Sequence, residues 1–362
     1  MRKSAHKDIF NYLQQVIPGA NKGQMQRRVC LMSSLIAACI RNGHCRLESL
    51  SESTEAYRAQ KKSSLLQQAK RWLSNKWTDW QGFYLPFARH FLQGLSGKGE
   101  IVFVLDGSQT GRTNTTLMLS VLCKGFAVPV AWVVKKGEKG HFPEEMHLDL
   151  LKMIAPICPA NCRLVLLGDG EFDGPNLRQW CIDNHWIFVL RTSSDRLVDF
   201  GGEVARFDSL LTTHTILFIP DALPLANAVY WRGKGHKKPL FLLTNLELAK
   251  EACLYYKRRF KIESLFKNLK SAGFSLHKTR LKCPHKLANL IIVVSFAFLF
   301  SFCIGLLIKQ VEPMHGLELI VRKDRLRSIA SIAIAQIAIR NQCDFINIFF
   351  SEISKNFDLV FT

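Results

Sequence analysis

Acidic residues are scarce in this chain of 362 residues. It contains 29 Asp and Glu against 49 Lys and Arg, which gives a formal net charge of +20. Such an excess of one sign opposes compaction unless a polyanion neutralises it, so a nucleic acid is the partner that composition favours. With 48% hydrophobic residues, the chain has enough apolar surface for one large core or two domains.

Signals for export and for a disulfide framework are also lacking. The opening MRKSAHKDIFNYLQQV is charged and polar, without the apolar stretch and small-residue cleavage site of a secretory signal. The 11 cysteines are odd in number and irregularly spaced, which is not typical of a disulfide-stabilised fold. These absences predict reduced thiols and a cytoplasmic location.

Several short motifs are incomplete. GLSGKGE and GSQTGRT lack the four-residue gap before Gly-Lys-Ser/Thr of a phosphate loop, so we expect no nucleotide hydrolysis. Glu144 and His147 have the Glu-x-x-His spacing of a di-iron site, but the motif occurs once where two are needed, and a surface helix face is the expected alternative. Cys158 and Cys162 have no second pair downstream, which argues against structural zinc.

One long apolar segment could in principle cross a membrane. Residues 287–308, LANLIIVVSFAFLFSFCIGLLI, contain no charge and are long enough to span a bilayer. The segment stands alone, a lysine flanks it on each side, and Asn289, Ser295 and Ser301 interrupt it. A helix that is apolar all round also suits the centre of a large domain, so we expect a buried core helix and no membrane partner.

The pattern of apolar residues changes several times along the chain. QMQRRVCLMSSLIAACIRNG has helical spacing and ends at a glycine, and SLLQQAKRWLSNKW is a second amphipathic helix candidate. The later stretch RSIASIAIAQIAIR could pack in the core or form a partner interface. We predict a helical DNA-binding domain over residues 1–96, a catalytic core in two parts over 97–195 and 245–310, a β-rich insertion over 196–244, and a helical tail over 311–362.

The middle of the chain predicts an α/β fold. The runs IVFVLD, LMLSVLCK and VPVAWVVKKG read as three successive strands, followed by a helix, the strand RLVLLGD, a second helix and the strand WIFVLR. The order βββαβαβ is that of the RNase H-like fold, a mixed sheet flanked by helices. In that fold the first and fourth strands are neighbours.

Two aspartates close those neighbouring strands. Asp106 ends IVFVLD and Asp169 ends RLVLLGD, at the strand exits where ligand sites of α/β sheets form. Either alone could be a turn-capping residue, because each precedes a glycine. Together they could bind magnesium, which prefers carboxylate oxygens, but a pair of ions acting on a phosphodiester requires a third acid.

A helix further along offers that acid. Within YYKRRFKIESLFKNLK, Tyr256, Arg259, Glu263 and Lys270 fall within an arc of roughly 60° on an ideal helix, at about 100° per residue. This face would combine a metal-binding carboxylate with groups that bind phosphate oxygens. A solvated basic face that happens to carry one glutamate is the alternative.

These residues carry a resemblance to a known family. Tyr, two residues, Arg, three residues, Glu, six residues and Lys is the signature of the insertion-sequence-four type of prokaryotic DDE transposases, and every spacing in 256–270 matches it. The resemblance extends to VLDGSQTG around Asp106, to GDGEFDG around Asp169 and to the β-rich insertion, so it covers roughly residues 97–305.

The resemblance implies roles for individual residues. Asp106, Asp169 and Glu263 would form the catalytic triad that binds Mg²⁺, with Mn²⁺ as a substitute. The DNA phosphates near the cut would be held by three further residues: Tyr256, Arg259 and Lys270. Trp231, in VYWRGKGHKK, would stack on a flipped base near the transposon end, although a tryptophan on a short strand is more often packed.

The resemblance also implies the reaction and the partners. Such an enzyme would cleave double-stranded DNA at terminal inverted repeats and transfer the freed 3′-hydroxyl into target DNA, as a homodimer on DNA in the bacterial cytoplasm or nucleoid. A structure-selective nuclease of the same fold, without joining activity, is one alternative. A domesticated, non-catalytic DNA-binding protein is another.

Overall fold

The structure of this chain is a computed structural model. It describes residues 5–52, 61–111, 113–137, 142–210, 215–233 and 238–310, together with Ala335. The predicted tail over 311–362, including the isoleucine- and alanine-rich stretch 327–340, therefore lies outside the described residues apart from that one position.

The described part of the first hundred residues is helical, as the sequence predicts. Helix α2 ends at Gly43, which adopts a left-handed conformation (φ 64°) that glycine tolerates without steric cost. The buried aromatic rings of Trp80 in α5 and of Tyr84, between α5 and α6, pack against Trp132 of the sheet that follows. The helices are α1 (Ala5–Val16), α2 (Gly23–Asn42), α3 (Leu47–Glu52), α4 (Lys62–Ser74), α5 (Trp80–Phe83) and α6 (Leu85–Gly94).

A mixed sheet forms the centre of the molecule. Its first strands are β1 (Glu100–Thr110), β2 (Asn114–Cys123), β3 (Phe126–Lys136), β4 (Arg163–Gly168) and β5 (Ile187–Arg191), with α7 (Glu144–Ile154) and α8 (Pro175–Asp183) between the last three. The strands lie in the order β3-β2-β1-β4-β5, in which β1, β2 and β3 are antiparallel neighbours and β1, β4 and β5 are parallel. This topology confirms the predicted RNase H-like fold.

The β-rich insertion extends this sheet. Its strands are β6 (Leu197–Phe200), β7 (Glu203–Arg206), β8 (Ile216–Leu223), β9 (Ala226–Trp231) and β10 (Leu240–Thr244). β6 and β7 form a separate two-stranded sheet, whereas β10 pairs antiparallel with β5 and continues the main sheet through β9 to β8. The sheet therefore has eight strands, and most of the insertion belongs to it.

The helical segment after the sheet is interrupted where the sequence predicted one continuous helix. α9 (Ala249–Arg259) is followed by a break at Phe260, then by α10 (Lys261–Lys267) and a π-helical turn (Asn268–Ala272). The π turn fits more residues into each turn than an α-helix does, so it shifts the face on which Lys270 lies. Tyr256, Arg259, Glu263 and Lys270 therefore share one helix face only approximately in the folded chain.

The long apolar segment is a core helix. α11 (Pro284–Gln310) is long and apolar enough to span a membrane, but 83% of its most hydrophobic window is buried inside the protein. Phe296 packs edge-on against Phe87, and the indole of Trp132 on β3 donates a hydrogen bond of 3.1 Å to the carbonyl of Ala288. α11 thus joins the N-terminal helices to the sheet, which supports the core interpretation.

Candidate active site

The two aspartates meet at one edge of the sheet. Leu105 on β1 pairs with Gly168 on β4 in parallel register, so Asp106 and Asp169 directly follow paired positions. The Asp106 side chain is only 14% exposed. β4 ends before Asp169, as the sequence predicts, whereas β1 continues past Asp106 to Thr110 in its pairing with β2. The two carboxylates therefore lie side by side where the pairing of β1 with β4 ends, as the RNase H-like prediction requires.

A tight turn after β4 positions Asp169. The Asp169 carboxylate accepts a hydrogen bond of 3.1 Å from the backbone N–H of Glu171, and its carbonyl accepts one of the same length from Phe172. A Cβ added at Gly168 would lie 2.8 Å from the Cβ of Phe172. A glycine is therefore needed at the end of β4 for the turn to fold back this closely.

Arg259 connects the third acid to the sheet. Its Nη1 lies 3.4 Å from Oδ2 of Asp106, and its Nη2 lies 3.1 Å from Oε1 of Glu263. The Arg259 side chain is 7% exposed, whereas that of Glu263 is 59% exposed. The i,i+4 contact from Arg259 to Glu263 persists across the break at Phe260, so the predicted acid does lie beside the two strand ends.

The charge balance of this cluster is unfavourable for Asp106. Burial is the main cause that raises the pKa of Asp106 to about 7; the neighbouring carboxylates of Asp169 and Glu263 act in the same direction, and Arg259 opposes them. One guanidinium therefore does not compensate three carboxylates in a partly dehydrated site. Additional positive charge would stabilise the ionised form of Asp106.

The donor chemistry fits a hard divalent cation. Carboxylate oxygens are the preferred ligands of Mg²⁺, and Mn²⁺ accepts the same donors. Among the residues that the structure describes, no three acidic, histidine or cysteine side chains lie close enough together to hold an ion as a group. The observation that favours a cation here is the shortage of positive charge at Asp106. In the structure, Arg259 is the counterion of Asp106.

Tyr256 and Lys270 differ in how they approach the acids. The Tyr256 hydroxyl is buried, and its ring lies 5.6 Å from the guanidinium carbon of Arg259. Burial also raises the pKa of Tyr256. The predicted phosphate contact would require this buried hydroxyl to become accessible; in the structure it packs beneath Arg259.

Lys270 lies at the end of the candidate site. Its ammonium group donates a hydrogen bond to the hydroxyl of Ser108, two residues beyond Asp106 on β1, and lies 5.6 Å from the ring of Phe266. The sequence prediction that Lys270 lies near the acids therefore agrees with its position, even though the π turn changes the helix geometry.

Trp231 lies apart from the acid cluster. It ends β9, is half-buried, and pairs with Leu240 and Ile216 on the two neighbouring strands. β9 runs parallel to β1, so Trp231 lies at the same edge of the sheet as Asp106, but four strand spacings away, which is roughly 19 Å at about 4.8 Å per strand. The structure does not bring Trp231 together with the acids.

Glu171 is a fourth acid beside the site that the motif analysis overlooked. Its Oε1 accepts a hydrogen bond of 2.6 Å from the backbone N–H of Phe142, and its Oε2 lies 3.6 Å from the position of a Cβ at Gly107. The acidic run GDGEFDG was the available signal. Asp173, the third acid in that run, instead forms an ion pair with Arg196 and a hydrogen bond with Thr192.

The expectation of a surface helix face at Glu144 and His147 is wrong for His147. Its ring is buried against Phe172, with 4.8 Å between ring centroids, and burial lowers the pKa of His147 to about 4. Glu144 accepts a hydrogen bond of 2.8 Å from the backbone N–H of Leu177, in the first turn of α8. Both residues pack α7 against the segment after β4, which the Glu-x-x-His spacing alone could not reveal.

Comparisons with known proteins agree with this geometry at the level of the family. The sequence matches the family described as Transposase DDE domain over residues 77–300. No curated protein matches it significantly.

Two solved structures that match the chain distantly are both complexes with DNA. The piggyBac transposase in a synaptic complex with hairpin DNA is 10% identical, with a TM-score of 0.43, over 98% of this chain and 82% of that chain. Endonuclease V from Ciona intestinalis, in complex with a 24mer DNA containing an inosine followed by a ribo-adenosine, is 16% identical, with a TM-score of 0.29, over 44% of this chain and 76% of that chain.

The family match covers more than half of the sequence. It begins before β1, ends within α11, and includes all three acids that the sheet edge and Arg259 bring together. The chain belongs to the Transposase DDE domain family.

Proposed function

We propose that the chain is a DNA transposase of the insertion-sequence-four type, which cleaves DNA at terminal inverted repeats and joins the freed ends to target DNA. The observation that carries this proposal is the contact of Arg259 with both Asp106 and Glu263, beside Asp169. That contact, which links the arginine and the glutamate of the Tyr-Arg-Glu-Lys signature to Asp106, supports the proposal.

The proposed catalytic triad is Asp106, Asp169 and Glu263, with Mg²⁺ as the metal and Mn²⁺ as a substitute. When bound, such ions supply Lewis-acid stabilisation of the phosphodiester oxygens and lower the pKa of water. The protein residues hold that charge in place: two carboxylates are fixed by the sheet, and the third is on the exposed side of α10.

Arg259 and Lys270 are proposed to bind DNA phosphate oxygens. Arg259 presents a planar guanidinium that can contact carboxylate and phosphate oxygens together, while Lys270 presents a compact charge near the end of β1. Tyr256 is proposed to position Arg259 through the packing of its ring. Trp231 remains a candidate for base stacking further along the same sheet edge.

The proposed reaction needs no external energy source. A water oxygen attacks the phosphorus at the element's end, which breaks the P–O bond to the 3′ oxygen and leaves a 3′-hydroxyl on the element and a 5′-phosphate on the flanking strand. That 3′-hydroxyl then attacks a target phosphorus and releases a target 3′-hydroxyl. One phosphodiester is thereby exchanged for another.

The proposed partners are double-stranded DNA and a second copy of this chain, as the proposed reaction requires. The excess of Lys and Arg suits double-stranded DNA, both as terminal repeat and as target. Two ends are processed together in cut-and-paste transposition, so we propose a homodimer on DNA, located in the bacterial cytoplasm and nucleoid.

A cleavage and joining assay tests the proposal. Purified protein is incubated with Mg²⁺, a plasmid, and a labelled duplex carrying the inverted repeat that flanks the gene. We expect both a cut end and a product joined to the plasmid. Cleavage without a joined product would indicate the structure-selective nuclease, and binding without cleavage would indicate the non-catalytic DNA-binding protein; either result would overturn the proposal.

A matched pair of variants controls the assay. Glu263→Gln removes a proposed metal ligand, whereas Glu251→Gln removes a carboxylate from α9 that is paired with Arg163, away from the acid cluster. We expect only the first change to abolish cleavage and joining.

A further inference from the structure

A second basic surface lies between the N-terminal helices and the segment that follows the Glu263 helix. It is a groove of about 1200 Å³, walled on one side by α3 and α4 and on the other by residues 277–286. Glu48 is the one acidic residue among those that line it. The basic residues along its walls are Arg46, Lys70, Arg71, Lys278, Arg280 and Lys286.

The two walls are held together by hydrogen bonds of the protein. The backbone N–H of Cys45 donates to the carbonyl of Phe274 at 2.9 Å, and the buried side chain of Asn289 on α11 donates to the carbonyl of Leu73 at 2.9 Å. These bonds join the α2–α3 connection and the end of α4 to the opposite wall. The groove is therefore formed before any ligand binds, which reduces the entropic cost of binding.

The positive charges in the groove repel one another. Among the described residues, none of its six Lys and Arg side chains forms an ion pair. All but Lys286 are exposed. A polyanion in the groove would relieve this repulsion, and its volume exceeds the roughly 300 to 1,000 Å³ of typical small-molecule sites.

The groove is connected to the candidate active site through Lys270. The imidazole Nδ1 of His277, which lines the groove, contacts the carbonyl oxygen of Lys270, and the ammonium group of Lys270 contacts Ser108 near Asp106. A polyanion that extends from the three acids past Lys270 would therefore reach the Lys and Arg side chains of the groove.

We propose that this groove binds the phosphate backbone of the duplex whose end lies at Asp106, Asp169 and Glu263, without reading its bases. The proposal rests on the proposed function, because it takes that site to be where the DNA is cut. Half or more of protein–DNA hydrogen bonds go to phosphate and sugar oxygens, which carry no sequence information directly, and Lys and Arg side chains such as those of the groove are among their donors. A bilayer surface, in contrast, would not follow the two walls of a concave groove.

The salt dependence of DNA binding tests this proposal. A variant with Lys70→Gln, Arg71→Gln, Lys278→Gln and Arg280→Gln is compared with a control of equal charge change, Lys7→Gln, Lys22→Gln, Lys152→Gln and Lys250→Gln, all exposed and outside the groove. Binding of a labelled duplex is measured by fluorescence anisotropy between about 50 and about 200 mM salt. Circular dichroism confirms that both variants are folded.

We expect the slope of log affinity against log salt to decrease in magnitude by roughly 3 to 4 in the groove variant, and by less than about 1 in the control. The loss should be the same for a repeat-bearing and a scrambled duplex. Equal slopes for the two variants would overturn the proposal, and so would a loss confined to the repeat-bearing duplex. Groove-dependent binding to anionic vesicles without binding to duplex would overturn it as well.

One further variant separates this proposal from the catalytic one. Glu263→Gln should abolish cleavage while the salt slope remains that of the unaltered protein. If the unaltered protein bound DNA with the expected groove dependence but did not cut it, the catalytic proposal would fail and phosphate binding by the groove would still be measured.

Discussion

Asp106 has the most perturbed environment among the three candidate metal ligands. It is largely buried within β1, just beyond the last residue that pairs with β4, and two neighbouring carboxylates oppose its ionisation. Arg259 compensates them in part. The protonation of this residue therefore ties the stability of the protein to pH.

The sign of the pH effect follows from the raised pKa of Asp106. Between about pH 4 and about pH 7 the folded protein keeps a proton on Asp106 that the unfolded chain has lost, so this group's contribution to stability decreases as pH rises. Asp106→Asn removes that contribution. In EDTA, we expect the melting temperature of Asp106→Asn to exceed that of the unaltered protein by an amount that grows across this range.

The control for this experiment is Asp149→Asn, an exposed carboxylate on α7. Its pH profile should match that of the unaltered protein. The assignment of the raised pKa to Asp106 would be wrong if the profiles of Asp106→Asn and the unaltered protein were parallel throughout the range.

Arg259 is expected to be the more important of two adjacent arginines. Arg259→Gln leaves the largely buried carboxylate of Asp106 without its counterion and should destabilise the fold by roughly 3 kcal/mol at neutral pH. Arg258→Gln breaks an exposed pair with Glu100 and should cost less than about 1 kcal/mol. Urea unfolding measures both changes, and equal costs would contradict the described role of Arg259.

The contacts and the burial of individual side chains were the features that the sequence predicted least well. The spacing of the signature predicted that Glu263 would lie near the aspartates, but not that Arg259 would bridge to Asp106. It placed Tyr256 at a phosphate, whereas the fold buries its hydroxyl. Burial and ion pairing depend on contacts between distant segments, which a local motif does not encode.

At the scale of elements, the turn after β4 fixes the position of Asp169. Gly168→Ala would bring a Cβ to 2.8 Å from that of Phe172, so we expect a loss of about 1 to 3 kcal/mol in the free energy of unfolding and a loss of end cleavage. In Gly170→Ala the nearest atom would be the carbonyl oxygen of Arg191 at 4.0 Å, so this change should be tolerated. Similar stability and cleavage for the two variants would contradict the requirement for glycine at the end of β4.

The element order was predictable, but the pairing of the insertion was not. Apolar runs bounded by glycine and charged residues indicate that strands exist and are buried, and this sufficed for the order βββαβαβ. The same signal does not specify a partner strand. β10 pairs with β5 some fifty residues earlier in the chain, so the insertion that the sequence set apart in fact extends the central sheet.

At the scale of the whole molecule, α11 holds the helical and sheet parts together. Its apolar surface is covered by protein, through contacts such as those of Phe296 with Phe87 and of Trp132 with the α11 backbone. We therefore expect the protein, expressed without detergent, to stay in the supernatant after ultracentrifugation. Recovery in the membrane pellet that resists an alkaline wash would contradict the core-helix interpretation.

The central claim is that Asp106, Asp169 and Glu263 act together as metal ligands in DNA cleavage. The most direct test is the rate of repeat-end cleavage by Asp106→Asn, Asp169→Asn and Glu263→Gln, compared with Glu251→Gln, in Mg²⁺ and in Mn²⁺. We predict that each of the three changes reduces the rate by roughly three orders of magnitude or more, and that the control remains active. Cleavage by Glu263→Gln at the unaltered rate would contradict the account.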